Sequence, residues 1–138
     1  MPSASNYETL RIRRVLGRVI EVEHPSLPAG PKTRLTASVA AAGTALTVLD
    51  NSGFSTSHFA LLRPYGTQKA EIGDITSVSG GTTINLTSGA TFAHSTGEEV
   101  QQIIWNQIVI YGNSTNSTTG VTTIATIDID VSEQFTTY

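Results

Sequence analysis

The chain has 138 residues and a net charge of −3, which suits one ordinary domain or one small domain with part of another. It contains no cysteine, which excludes disulfide frameworks, thiolate metal sites and cysteine nucleophiles. Only 14% of its residues are charged, and no stretch approaches the roughly eighteen apolar residues of a membrane-spanning helix.

The N-terminal part of the chain reads as an arm joined to a linker. Residues 1–8 are polar, without the apolar run of a secretory signal, and we expect them to order only on a partner. Residues 10–23 alternate apolar and charged side chains, which predicts one long strand with a bulge at Gly17. Residues 24–32 hold three prolines and predict an extended linker, so residues 1–32 form one strand-like arm.

From Thr33 onward, short strand-like segments alternate with separators that each contain a glycine. Serine and threonine fill roughly a quarter of the chain, a bias that favours strands and turns over helices. The predicted strands are TRLTASV, ALTVLD, HFALLRPY, QKAEIGDITSVS, TTINLTS, EVQQIIWNQIVIYG and VTTIATIDIDV. The fold class is therefore all-β, with a small β-barrel or sandwich over residues 33–104.

Residues 105–138 read as part of a second module. The segments QIVIYG and VTTIATIDIDV predict an antiparallel pair joined by a long polar loop, and a further strand begins in SEQFTTY. A two-stranded pair is marginal by itself. We therefore expect either that the chain continues beyond Tyr138 or that this edge pairs with a neighbouring chain.

Residues 33–104 resemble a β-module of tailed-bacteriophage virion proteins. The resemblance lies in the order of turns and strands, and the motifs that carry it are LTV, GF, the Gly-Thr turn, AEI and Phe-x-His with a glycine and a valine behind it. The matching positions in this chain are Leu46, Thr47, Val48, Gly53, Phe54, Gly66, Ala70, Glu71, Ile72, Phe92, His94, Gly97 and Val100. The segment after residue 104 resembles the opening of a fibronectin- or immunoglobulin-like domain, here incomplete.

The resemblance implies a non-enzymatic structural protein of the virion, assembled in the host cytoplasm. A head-associated role in capsid decoration or fibre anchoring is expected, with the major capsid protein as partner and a homo-oligomeric state. A neck or tail role stays open. A second alternative is a host-surface carbohydrate-binding module that contacts sugars through Thr/Asn-rich loops and Tyr111, and a third is a hydrolase that uses His94.

The segment TFAHSTGEEV is the nearest approach to a catalytic cluster, since His94 and Ser95 stand beside Glu98 and Glu99. Nucleophilic catalysis needs a base within hydrogen-bond reach of the nucleophile, but neighbours in a strand point to opposite faces. We therefore interpret His94 and Gly97 as a structural turn in which the histidine ring bonds the backbone. No catalytic residue is predicted.

Metal and cofactor sites are not expected either. His24, His58 and His94 lie far apart in sequence and lack the spacing that preforms a zinc site. Asp128 and Asp130 share one strand face and could bind a cation, but a solvated face explains them as well.

Four arginines near the N-terminus are the candidate partner-binding residues: Arg11, Arg13, Arg14 and Arg18. Basic residues that alternate along a strand are typical of an edge that faces a partner. Nucleic acid is not expected as that partner, because no aromatic residues are interleaved with the arginines. We expect the arm over residues 1–32 to dock on a neighbouring subunit or on the capsid shell by adding a strand to an exposed sheet edge.

Eleven apolar residues are predicted to form the core: Phe54, Phe59, Leu61, Ile72, Ile75, Val78, Ile84, Leu86, Phe92, Val100 and Ile103. Trp105 is expected to pack at the junction of the two modules. Glu71 points away from its apolar neighbours, and we expect it to pair with Lys69 or Arg63 across strands.

Overall fold

The computed structural model is all-β, as the sequence predicts, and its described residues contain no helix. The described residues are 12–16, 19–23, 30–112, 119–120, 122–129, 131 and 135–137. Their strands are β1 (Ile12–Leu16), β2 (Val19–Glu23), β3 (Lys32–Arg34), β4 (Ala45–Thr47), β5 (Phe59–Leu62), β6 (Glu71–Ser79), β7 (Thr83–Leu86), β8 (Glu99–Ile103), β9 (Gln107–Gly112), β10 (Thr122–Asp128) and β11 (Phe135–Thr137).

The central unit is a six-stranded antiparallel sheet with the order β3-β8-β5-β6-β7-β4. Its two outer strands meet at a single bridge between Leu35 and Val48. Main-chain hydrogen bonds flank this bridge, from Thr36 to Thr47 at 2.8 Å and from Leu49 to Arg34 at 3.0 Å. The sheet therefore curls into a half-barrel whose outer strands meet at this bridge, called the barrel below, which agrees with the predicted small barrel or sandwich.

The interior of the barrel is apolar. Its buried side chains are Leu35, Val39, Leu46, Val48, Phe54, Ala60, Leu62, Ile75, Ile84, Leu86, Ala90 and Val100. Leu46 and Ile84 are directly opposite each other on β4 and β7, and both are fully buried. Removal of this apolar surface from water is the main stabilising contribution to the barrel.

A second apolar layer covers the outside of the barrel at β5 and β8. Successive residues of a strand point to opposite faces, so Ala60 and Leu62 enter the barrel while Leu61 points outward. Leu61 and Ile103 pack there in a cluster with residues of the β9–β10 pair and the chain after it, including Ile108, Ile127, Ile129 and Val131. Trp105 also packs against this cluster, at the junction where the sequence predicts it.

The prediction of one long strand over residues 10–23 is wrong. The segment forms the antiparallel pair of β1 and β2, in which Leu16 lies opposite Val19. On its other side β2 pairs with β11, so both ends of the described chain share one three-stranded sheet. Apolar-polar alternation has the same period in one long strand and in two strands of a hairpin, so it does not distinguish them.

Two further predictions need correction against the structure. Phe92 does not belong to the core, because 38% of its surface is exposed. The segment EVQQIIWNQIVIYG is not one strand, since β8 ends at Ile103 and β9 begins at Gln107. The antiparallel pairing of β9 with β10 agrees with the sequence-based expectation.

Candidate functional site

His94 is the most deeply buried charged or polar residue near the predicted turn, with an exposed fraction of 2% for the residue as a whole. Its backbone pairs with Val39 in an isolated antiparallel bridge, through two main-chain hydrogen bonds of 2.8 Å. This bridge fixes the chain on both sides of the ring. The main chain that carries the imidazole is therefore held in place independently of the polar contacts of the ring.

Glu71 of β6 approaches the ring from one side. Its Oε1 lies 2.6 Å from Nε2 of His94 and accepts a second hydrogen bond from the Phe92 backbone N–H at 3.1 Å. Its Oε2 accepts a hydrogen bond from the Thr91 backbone N–H at 2.7 Å. Burial by itself raises the pKa of Glu71, but the hydrogen bonds from His94 and from the backbones of Phe92 and Thr91 outweigh it and bring the pKa below its usual value.

Glu98 approaches the ring from the other side. Its Oε2 lies 2.8 Å from Nδ1 of His94, and the Arg63 Nε lies 3.9 Å from the same oxygen. The result is a line of alternating charge-bearing groups that runs Arg63, Glu98, His94, Glu71. We refer to Glu71, His94 and Glu98 as the carboxylate–histidine triad.

The contacts of the triad determine which ring nitrogens of His94 must donate if both contacts are hydrogen bonds to carboxylates. A carboxylate only accepts hydrogen bonds, and a neutral imidazole has a single N–H donor. Because both ring nitrogens of His94 face carboxylate oxygens, both must donate for the two contacts to be hydrogen bonds. The triad is thus best satisfied as an imidazolium between two carboxylates.

The prediction that the His94 ring bonds the backbone is wrong: both of its nitrogens bond carboxylates. The turn lies just after it, closed by a hydrogen bond from the Glu98 N–H to the Ser95 carbonyl at 3.2 Å. Gly97 has a φ of +89° within this turn, a conformation that L side chains rarely adopt. The expected pairing of Glu71 with Lys69 or Arg63 is also wrong, since the partner of Glu71 is His94.

The triad is closed to substrates in this conformation. The His94 side chain has an exposed fraction of 0%, and both nitrogens are occupied. Ser95 is exposed, and both nitrogens of the neighbouring ring contact carboxylate oxygens, which leaves neither nitrogen to act as a base for the serine hydroxyl. What the arrangement can do chemically is join β6 to the turn before β8 through one buried imidazole.

A small groove of about 190 Å³ lies next to the triad, between the first half of β6 and the segment that follows β7. Leu62 and Leu86 contribute apolar surface, and Asp74 and Ser88 contribute polar atoms. Glu71 also lines the groove, but both of its oxygens already accept hydrogen bonds from Thr91, Phe92 or His94. Little of its capacity to accept is left for a ligand.

The remaining predicted site residues lie elsewhere in the chain. Arg11 and Arg18 fall outside the described residues, and Arg13 and Arg14 lie in β1, which is described by its backbone. No described contact joins any of these four arginines to the triad. Within the part of the chain that the structure describes, no group of three His, Asp or Glu side chains could hold a metal ion.

Sequence reasoning missed the role of Glu71 as the partner of His94. Glu71 lies between Ala70 and Ile72, which both pack in the outer apolar layer, so strand alternation directs Glu71 to the opposite face. An acidic side chain at such a position requires a buried partner, and that requirement is the signal that the sequence offers.

No protein-family model, curated protein or solved structure gives a significant match to this chain. None of the described residues form a helix that is long and apolar enough to cross a membrane.

Proposed function

We propose that the chain is a non-enzymatic structural component of a tailed-bacteriophage particle, attached to the head as a decoration or fibre-anchoring protein. The observation that carries the proposal is the order of the resembling motifs over residues 33–104. These motifs fall on one continuous folding unit, because β3 begins at Lys32, β8 ends at Ile103 and the strands between them close the barrel.

The triad supports a structural role over a catalytic one. Its histidine is the residue that a hydrolase would need to expose, yet the ring is fully enclosed and bonded at both nitrogens. A general base must reach the proton that it abstracts from a substrate. His94 instead links β6 to the turn before β8, which strengthens the barrel.

The terminal three-stranded sheet supports assembly with neighbouring subunits. β2 is the middle strand, and within the described residues no strand pairs with the outer edge of β1 or of β11. An open edge presents main-chain N–H and C=O groups to which a neighbouring strand can add. The proposed docking element is thus a sheet edge that carries Arg13 and Arg14, in contact with the major capsid protein or with a second copy of this chain.

The experiment is to locate the chain in intact particles. Particles are purified from a culture that produces the phage whose genome encodes the chain. The chain is then quantified by mass spectrometry and located with a gold-labelled antibody in the electron microscope. Label on the heads, in a copy number set by capsid symmetry, is the expected result. Absence from purified particles overturns the proposal, whereas label confined to the neck or tail keeps the virion role and rejects the head.

A host-surface carbohydrate-binding module is the second candidate, favoured by the exposure of Tyr111. Its side chain lies on β9 with an exposed fraction of 39%, and exposed aromatic rings provide apolar faces against which ligands pack. Binding of the isolated chain to a glycan array, lost in Tyr111→Ala, would support this candidate. No binding across the array would reject it.

A further inference from the structure

The outer side of β6 is covered in two different ways along its length. From Ile75 onward β6 pairs with β7 by main-chain hydrogen bonds. Before Ile75 only β5 pairs with β6, on the other side, and a hydrogen bond from the Thr87 N–H to the Asp74 carbonyl at 2.8 Å is the last main-chain link towards the segment after β7. Beyond that point Glu71 provides the link through its side chain.

The segment that Glu71 holds is itself part of a paired unit, residues 39–43 with residues 89–94, which we call the flap. Its two halves are joined by hydrogen bonds from Ala42 to Ala90 at 2.7 Å and from Ala90 to Gly43 at 2.9 Å, and by the Val39–His94 bridge. Gly89 packs so closely on Ala42 that a Cβ atom at residue 89 would overlap its main chain. Any displacement of the flap should therefore carry both of its halves together.

All described hydrogen bonds that join the flap to β6 end on one carboxylate. Thr91 N–H and Phe92 N–H donate to Glu71 at 2.7 and 3.1 Å, and His94 Nε2 contacts it at 2.6 Å. Val39 and Ala90 add buried apolar contacts to the barrel core. The polar attachment of the flap to β6 thus depends on the charge of a single side chain.

We propose that Glu71 is a proton-operated latch, whose protonation releases the flap from β6 while the barrel stays folded. Protonation removes the negative charge that faces the His94 imidazolium and converts one acceptor oxygen into a donor. The groove beside the flap then widens and uncovers Leu62 and Leu86. The latch is a property of this fold, independent of whether the chain is a virion component.

The charged groups around the latch agree with release in acid. Glu71 faces His94 from β6, Glu98 faces it from the turn before β8, and Arg63 after β5 faces Glu98. The other half of the flap, residues 39–43, has the sequence VAAAG and contributes no titratable side chain. Protonation of Glu71 removes one of the two negative charges that face the buried ring, which makes the burial of a charged imidazole less favourable.

The test is amide hydrogen exchange of the full chain by NMR, corrected for intrinsic rates, between about pH 6.5 and about pH 3.5. The amides of Thr91 and Phe92 report on the latch, and the Val48 amide, which donates to Thr82, reports on the barrel. We expect protection of the two latch amides to fall severalfold, up to about tenfold, which is the limit for titration of one carboxylate from its ordinary pKa of 4.5 down to about pH 3.5. Protection of Val48 should stay unchanged over the same range.

Glu71→Gln is the decisive variant because it mimics the protonated side chain. It should reduce protection of Thr91 and Phe92 at neutral pH and remove the pH dependence of both. Glu99→Gln is the matched control, since Glu99 pairs with the exposed Lys32 at 3.4 Å outside the triad. The proposal is overturned if protection of the latch amides does not change with pH, or if it is lost together with the protection of Val48. The wild-type titration decides between these outcomes even if the Glu71→Gln variant fails to fold.

Discussion

Nε2 of His94 lies 2.6 Å from Oε1 of Glu71, although the two residues are far apart in sequence. The contact is enclosed, since the exposed fractions of the two side chains are 0% and 12%. Water therefore screens it poorly, and removal of either partner leaves the other buried without its closest charged contact. The first two predictions follow from this contact.

Replacement of His94 by alanine should destabilise the barrel by about 3 kcal/mol, because Glu71 and Glu98 then face each other without the cation between them. The measurement is denaturant unfolding at neutral pH. His58→Ala is the matched control, since its Nδ1 is buried without a hydrogen-bond partner in the described structure. Equal losses for the two variants would contradict a specific role for the triad.

The stabilising effect of Glu71 should depend on pH in a defined direction. Burial raises the pKa of Glu71, but its hydrogen bonds outweigh burial and lower the pKa in the folded chain. The carboxylate therefore stabilises the fold at pH values above 4.5, the ordinary pKa of the side chain. That contribution is lost as the pH falls through the lower, folded-state pKa.

We therefore expect Glu71→Gln to cost about 2 kcal/mol at neutral pH and progressively less below pH 4.5. Denaturant unfolding of both chains at a series of pH values checks this. A difference between the two chains that stays constant, or that grows in acid, would show that the carboxylate charge is not the stabilising feature.

The stabilising contribution of a leucine depends on its burial, and this dependence can be measured at two leucines on either side of Val48, which forms the bridge to Leu35. Leu46 is fully buried opposite Ile84, whereas Leu49 has an exposed fraction of 69%. Leu46→Ala should cost about 3 kcal/mol because it leaves a cavity. Leu49→Ala should stay within about 0.5 kcal/mol of the wild type in thermal or denaturant unfolding.

Deletion of residues 132–138 should expose one edge of β2. β11 pairs Phe135 with Glu23 and Thr137 with Glu21, so its removal leaves the main-chain groups on that side of β2 open to water. Amides of β2 that face β11 should lose protection in hydrogen exchange, while those that face β1 keep it. Unchanged protection on both sides would mean that β11 does not pair there in solution.

The sequence predicts those parts of the fold that depend on local pattern. Period-two alternation and glycine punctuation identify the all-β class and the positions of β5 to β8, since these signals arise from neighbouring residues. The pairing of Leu16 with Val19 escapes such a prediction because it joins two separate strands, whereas alternation reports only on neighbours within one strand.

The triad could be predicted only in part. The sequence draws attention to His94 and Glu98 because they lie four residues apart, but Glu71 comes from another strand. Its position depends on how β6 and the flap meet in three dimensions, which no local periodicity encodes. The core prediction fails at Phe92 for the same reason: its backbone N–H serves Glu71, and its side chain faces solvent.

The pairing of β2 with β11 has a consequence for the order in which the chain folds. Residues 135–137 are synthesised after every other strand of the described chain, including β2, with which they pair. One edge of β2 therefore stays unpaired until residues 135–137 have been synthesised. Contacts between such distant segments form slowly because a long loop must first be closed. We expect the barrel to be the early folding unit and the terminal sheet to be the last to assemble.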